Sequence, residues 1–321
     1  MSYVPLIIKY NPQNLDNINL YQVTKDIVNV YLENKIMKFF IHGNICSGKS
    51  SLINVLLNLY YNNDKKLIEK NTIYINLLKE QGISYYRNEI KHFCEINNFN
   101  FNYKKTIVID DLDLLNEQCQ EVFNVFITNY ENINFIISCN DILKIKKTIV
   151  NKLELIRINN IDKNFLYKIL INILNKENIS LQKNTIDFII KTSNLSISNM
   201  INMLEKINLI GINDILENDI TIIENIICNI MTSDFNEYIS LCESKNIKES
   251  VLHIMKLYNK GYSVIDIYEE FFMYIKNIST LNDEKKYKII KLICKYIHIY
   301  NNLHEDPIEL IFLTNHIINI I

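Results

Sequence analysis

Gly43-Asn44-Ile45-Cys46-Ser47-Gly48-Lys49-Ser50 decides how this chain is read, because it spends two of the chain's five glycines within eight residues. The block fits the phosphate-loop pattern GxxxxGK[ST]. An apolar run, Phe39-Phe40-Ile41, precedes it as an expected strand, and Ser51 to Tyr60 follows as an expected helix. In that setting the glycines allow a tight loop whose backbone N–H groups face an anion. The helix start adds partial positive charge. Gly43 through Ser51 are therefore the expected nucleotide-binding stretch: Gly43, Asn44, Ile45, Cys46, Ser47, Gly48, Lys49, Ser50 and Ser51. Lys49 reaches for the outer phosphates and the Ser50 hydroxyl for Mg²⁺. The plain alternative is a chance match in a Gly/Ser turn.

Working outward, short apolar runs alternate with helical stretches up to Ile158. The runs are Lys38–His42, Thr72–Asn76, Thr106–Ile109, Phe135–Cys139 and Leu153–Ile158. Such spacing predicts a parallel α/β sheet covered on both faces. From Asp162 strand signals fade. Apolar spacings of three and four over Leu166–Lys176, Lys183–Lys191 and Ser198–Leu209 predict a small helical unit. Asp219 to Ile321 is again helical, with stripes such as Ile265, Tyr268, Phe272, Tyr274 and Ile275 that read as packed core rather than as a cofactor pocket. The expected domains are 1–160, 161–220 and 221–321.

The second chemical element is Thr106-Ile107-Val108-Ile109-Asp110-Asp111-Leu112-Asp113. A buried strand ending in paired acids, some sixty residues after a phosphate loop, places Asp110 to hold Mg²⁺ and Asp111 to polarise an attacking water. Phe135-Ile136-Ile137-Ser138-Cys139-Asn140 is a further strand, ending in an amide that can orient that water or the γ-phosphate. An Asx turn or helix cap at Asn140 is the alternative.

Bulk properties exclude other classes. The net charge of −2 gives no general attraction to nucleic acid. The seven cysteines are scattered without a CxxC pair, which argues for a reducing compartment and against a zinc site. No apolar run approaches the length of a membrane span, so no membrane partner is expected. Met1 to Asp16 lacks the basic start and small-residue cleavage site of a signal peptide. Arginine occurs only as Arg87 and Arg157, while Asn, Ile, Lys and Tyr abound, a bias that suits an A+T-rich genome such as that of a large DNA virus or a protist.

In this order the elements resemble AAA+ ATPases, and several stretches resemble the small subunit of replication factor C, the eukaryotic-type sliding-clamp loader. Lys9-Tyr10-Asn11-Pro12 through Ile18 looks like the family's KYRPxxxxDI box, which packs on adenine, so Tyr10 and Pro12 are expected cofactor contacts. Ile75-Asn76, Gln81-Gly82-Ile83 and Arg87-Asn88-Glu89-Ile90-Lys91 resemble LNASDERGI…VREKIK. Asp110 to Asp113 stands where the family has DEAD, and Ser138-Cys139-Asn140 looks like its sensor 1 strand. Lys260-Gly261-Tyr262-Ser263 with Asp266-Ile267 is similar to a KGYS…DI stretch of the collar.

The resemblance implies a RecA-like ATPase domain, a helical lid and a helical collar that closes a hetero-pentameric ring. It implies ATP and Mg²⁺ as cofactors, and other ring subunits, a PCNA-type clamp and primer–template DNA as partners. A nucleus or a viral replication site is the implied location. Arg87 and Lys91, one helical turn apart, stand where the family faces DNA; a solvated helix face is the alternative.

Four departures bear on chemistry. The acids are Asp110-Asp111 instead of Asp-Glu, which draws the expected base back by about 1.5 Å, the length of one C–C bond. The family's trans-acting Ser-Arg-Cys aligns with Asn151-Lys152-Leu153, and lysine lacks the planar fork. Ser198 replaces the sensor 2 arginine, and Asn11 replaces the arginine of the N-terminal box. The catalytic candidates are thus Asp111, Asn140 and Lys152, and the metal candidates Ser50 and Asp110. Firm ATP–Mg²⁺ binding with slow turnover outside a complex is expected. A structural ring subunit that binds nucleotide without hydrolysing it is one alternative. An origin-binding or branch-migration ATPase is another, and a small nucleotide kinase fits least.

Overall fold

The computed structural model describes residues 3–76, 83–96, 103–210, 230–278, 281–302 and 306–321. Gln81 and Gly82 of the expected DNA-facing segment, and the expected boundary at residue 220, lie outside them. The backbone packs into two compact units, Met1–Asn218 and Asp219–Ile321.

The first unit is built on five parallel strands, β1 (Lys38–His42), β2 (Thr72–Asn76), β3 (Thr106–Asp110), β4 (Asn134–Cys139) and β5 (Glu154–Arg157). Their order across the sheet is β2-β3-β4-β1-β5. The apolar runs therefore predict all five strands to within two residues at either end. Successive side chains point to opposite faces, so each run feeds two cores. Phe39, Ile41, Val108, Ile136 and Ile156 pack on one face with Leu52, Ile53 and Leu56 of α3 (Lys49–Tyr60). Phe40, Ile107, Ile109, Phe135 and Ile137 pack on the other with Phe123 and Phe126 of α6 (Glu117–Asn129). Burial on both faces is why these strands read as continuous apolar runs rather than as alternation.

Before β1 come α1 (Leu6–Lys9) and α2 (Gln22–Glu33), and between the later elements lie α4 (Lys65–Asn71), α5 (Ile83–Glu95) and α7 (Lys147–Val150). Helix α2 lays Val28 and Tyr31 on the first core, where the Tyr31 ring tilts against Phe39 at 5.5 Å between centroids. The end of α5 is closed by an unusual cap. The buried Lys105 amine donates to Phe93 O at 2.7 Å and Ile96 O at 2.5 Å, and burial holds its pKa below the ordinary lysine value.

Among the described residues, three helices follow in this unit: α8 (Lys163–Glu177), α9 (Lys183–Thr192) and α10 (Ile197–Ile210). Leu166, Leu170 and Ile173, with Met200, Leu204 and Ile207, form their inner stripes. The N-terminal segment ties onto them. Tyr3 hydrogen-bonds Glu205, and the Lys9 amine pairs with Glu177 at 2.6 Å.

The second unit contains α11 (Thr232–Glu243), α12 (Ile247–Asn259), α13 (Val264–Asn277), α14 (Asp283–Asn302) and α15 (Ile308–Ile320). Tyr268 and Ile275 are buried in its core, with Ile265, Phe272 and Tyr274 packed against it, so the aromatic stripes are core. The KGYS…DI stretch has a local physical reason. Gly261 takes φ +100°, a region open to glycine. Ser263 then caps α13 in a reciprocal box with Asp266, its Oγ accepting from Asp266 N at 3.1 Å. Among the described residues no helix is long and apolar enough to cross a membrane.

Candidate nucleotide site

The phosphate-loop residues lie between the end of β1 and the first turn of α3, at the carboxyl edge of the sheet. Gly48 adopts φ +96°, where a side chain would be strained. At Gly43 the constraint is space: an added Cβ would meet Ser47 Oγ at 2.7 Å and Ile158 Cβ at 3.2 Å. The loop is thus a close-packed cradle, and Ser47 Oγ is buried inside it without a hydrogen-bond partner.

Lys49 opens α3 and is only 7% exposed. Its amine donates to Gly43 O at 3.1 Å, Asn44 O at 2.9 Å and Asn140 Oδ1 at 2.6 Å. Ser50 Oγ donates to Asp110 Oδ2 at 3.0 Å, joining the loop to the end of β3. Asn140, just past β4, bridges opposite charges. Its oxygen accepts from Lys49 and its nitrogen donates to Asp111 Oδ1 at 3.0 Å. Asp113 holds that corner from below, accepting from Asn140 N at 3.2 Å and Asp141 N at 3.3 Å.

Asp111 turns the chain out of β3 in the left-handed region, with φ +56° and ψ +50°. Burial, followed by the charge of Asp110, pushes its carboxyl above the usual range, while Lys49 and Asn140 oppose the shift. A carboxylate raised this way is a better proton acceptor than an ordinary aspartate. Cys139, at the end of β4, is inert by contrast, because burial pushes its thiol up to about 12.

The arrangement suits an anion with a divalent cation. Lys49 supplies a buried cation at the loop, and Ser50 and Asp110 supply the hard oxygen ligands that Mg²⁺ takes. The tight cradle at Gly43 and the unpartnered Ser47 hydroxyl fit a phosphate chain.

Through Ser138 the structure brings Lys49, Ser50, Asp110, Asp111 and Asn140 into one hydrogen-bonded network, which the Gly43 and Asn44 carbonyls join at Lys49. Ile45 and Cys46 are exposed on the loop, Asn44 donates to Asn160 Oδ1 at 3.1 Å, and Ser51 is half-buried within α3. Tyr10 hydrogen-bonds Glu177 of α8, and burial with that contact pushes its phenol up to about 12. Pro12 is half-buried on the same segment. Lys152 follows α7, and its amine donates to Asn124 Oδ1 at 2.6 Å and also to Thr128, both on α6. Arg87 and Lys91 are exposed on α5, and Lys91 lies 3.8 Å from Glu95. Ser198 is half-buried in the first turn of α10.

Sequence reasoning gave no role to Ser138, whose hydroxyl donates to Asp110 and accepts from Asp111 N at 2.9 Å. The available signal was a serine inside an otherwise apolar strand. Asp113 was similarly visible only as part of an acidic cluster.

The replication factor C C-terminal domain model matches residues 220–298. A replication factor C small subunit of Methanococcus vannielii is 29% identical over 63% of this chain. That match spans 64% of the Methanococcus protein, just under two thirds of its length. A putative replication factor C small subunit of Acanthamoeba polyphaga mimivirus is 23% identical over 90% of this chain and 89% of its own. Among solved structures, the Thermotoga maritima RuvB Holliday junction branch migration motor aligns with a TM-score of 0.52 at 10% identity, over 74% of this chain and 80% of that one. That likeness is one of fold alone.

Proposed function

We propose that this chain is a replication factor C-type small subunit, that it binds ATP with Mg²⁺, and that it serves as one subunit of a clamp-loader ring acting on primed DNA. The observation that carries this reading is the continuous network from Lys49 through Asn140 to Asp111, beside the Ser50–Asp110 pair at 3.0 Å. Its members come from three separate segments of sequence, and an isolated Gly/Ser turn would need none of them.

In this reading Lys49 and the loop N–H groups hold the phosphates, with Ser50 and Asp110 on the metal. Bound Mg²⁺ neutralises phosphate charge during transfer. Asp111 accepts a proton from water, and Asn140 keeps the Asp111 carboxylate and the Lys49 amine at fixed spacing. Tyr10 and Pro12 flank the base. Arg87 and Lys91 offer exposed cations to a DNA backbone. A PCNA-type clamp and the other ring subunits are the protein partners, at a nuclear or viral replication site.

A second reading, a structural subunit that binds nucleotide but scarcely hydrolyses it, draws on specific features. Asp111 is one methylene shorter than glutamate, and displacements of about 1 Å can cost on the order of 10²-fold in rate. The Lys152 amine is engaged by its own chain's Asn124 and Thr128 rather than free for a neighbour. Arginine fingers contribute roughly 10³–10⁵ in other NTPases.

The deciding experiment is ATP turnover by the purified chain, alone and then with candidate ring partners, clamp and primed DNA. A rise of orders of magnitude on mixing supports the motor. Tight ATP binding without turnover, in a complex whose other sites are disabled, supports the structural subunit. Absence of ATP binding overturns both.

A further inference from the structure

We propose that Ser138 is the positioning residue for the metal-holding carboxylate: its single hydroxyl fixes the direction of Asp110 and the backbone turn at Asp111 together. The proposal rests on reading this site as one for Mg²⁺-nucleotide.

The register puts Ser138 where it can act. β3 and β4 run parallel with Ile109 opposite Ile137, so the next residues along, Asp110 and Ser138, emerge side by side at the strand ends. Ser138 is fully buried, at 0% exposure, in a strand whose other members are apolar or Asn134. A hydroxyl there has no water to turn to and must be satisfied by protein.

A serine hydroxyl has one proton and two lone pairs. Its proton goes to Asp110 Oδ1, and a lone pair takes Asp111 N–H at 2.9 Å. The terminal torsion of an aspartate is broad and soft, so a carboxylate at a strand end swings unless something holds it. With Oδ1 held, Oδ2 is left facing Ser50 Oγ at 3.0 Å, the pair that would share the cation. The second contact anchors a left-handed residue, Asp111 at φ +56°, which a non-glycine side chain adopts only at a cost. One hydroxyl therefore sets both acids: the first through its side chain, the second through its backbone.

Groups that hold a metal ligand in place typically carry 10–100-fold of metal affinity. The test is calorimetric titration of the full chain with ATP, once in Mg²⁺ and once in EDTA. Ser138→Ala is expected to lose most of the magnesium-dependent gain in ATP affinity, about tenfold or more. Its affinity in EDTA is expected to stay within about twofold of the parent, since Lys49 and the loop are untouched. In an Asp110→Asn background, Ser138→Ala is expected to add nothing, because two substitutions on one pathway are not additive. Ser138→Thr keeps the hydroxyl and is expected to keep the gain; it also serves where the alanine variant fails to fold.

An unchanged magnesium gain in folded Ser138→Ala overturns the proposal. So does an equal loss in EDTA, which would mark general distortion, and so does a full additional loss on top of Asp110→Asn. If the parent protein shows ATP binding with no magnesium dependence, the metal-site reading fails first and this inference falls with it.

Discussion

In residues 3–210 the carboxyl ends of the strands gather polar side chains whose partners stand on other segments of the chain, as Asn140 does between Lys49 and Asp111. In residues 230–321 a polar pair lies instead inside the core, where Tyr238 OH meets Thr314 Oγ1 of another helix at 2.8 Å. Thr314 gives its own proton to Leu310 O at 2.7 Å, so the tyrosine is the donor. Both regions contain buried hydrogen bonds, but they serve different ends. In the first, an apolar sheet carries a polar network at the ends of its strands, so side chains there can change without unseating the core. In the second the hydrogen bonds are within the core itself. Substitutions in the first region should alter binding, and substitutions in the second should alter stability.

The largest separation is expected from Phe271→Ala. Phe271 is 1% exposed and packs between Phe235, at 5.3 Å, and Tyr238, at 5.5 Å between ring centroids. Removing a buried phenyl ring costs about 3–5 kcal/mol. Hydrogen exchange should rise across 230–321, while the ATP affinity of the still-folded protein holds. Faster exchange confined to the sheet would break the comparison.

Lys49→Ala is the converse. Charge-assisted hydrogen bonds contribute about 1.5–3 kcal/mol each, so if the Lys49 amine holds two phosphates, as proposed, its loss should cost at least about 100-fold in ATP affinity. Thermal stability should move little. An unaltered affinity, measured by titration, removes the site assignment.

The smallest effect, and the sharpest in pH, is Tyr238→Phe. Burial raises the Tyr238 phenol well above 10, so the folded protein keeps that proton where the unfolded chain releases it. Its stabilising contribution is therefore complete below pH 10 and is lost as pH climbs above it. Replacing it should cost about 1 kcal/mol at neutral pH and flatten the alkaline loss of stability in the helical unit. Tyr61, whose phenol burial pushes up to about 12, should preserve the corresponding loss in the sheet unit. Denaturant melts between pH 8 and about 11 compare the two; an unchanged alkaline slope in the variant counts against the assignment.

How far these regions were legible in the sequence differs for a physical reason. Strand positions were readable because burial on both faces forces uninterrupted apolar runs such as Phe39-Phe40-Ile41. The phosphate loop was readable because its glycines answer local demands, φ +96° at Gly48 and crowding at Gly43. The roles of Ser138 and Asp113 were not, because both depend on which strands lie side by side. The order β2-β3-β4-β1-β5 sets residues far apart in sequence beside each other, and nothing within Phe135–Asn140 announces that β3 is the neighbour. Helix α2 went unnamed, and Val28 is its only buried residue.

Asn140 has a further consequence. Its amide is a dipole with fixed polarity, oxygen toward the lysine and nitrogen toward the aspartate. An aspartate at this position would have nearly the same outline, yet it would present an anion to Asp111 and have no hydrogen to give. A leucine would match the bulk and answer neither neighbour. The corner therefore tests candidates by handedness of charge rather than by shape, and it couples its two neighbours. Lys49 holds the Asp111 carboxyl down against burial and Asp110, so a substitution that removes its charge would push that carboxyl further up.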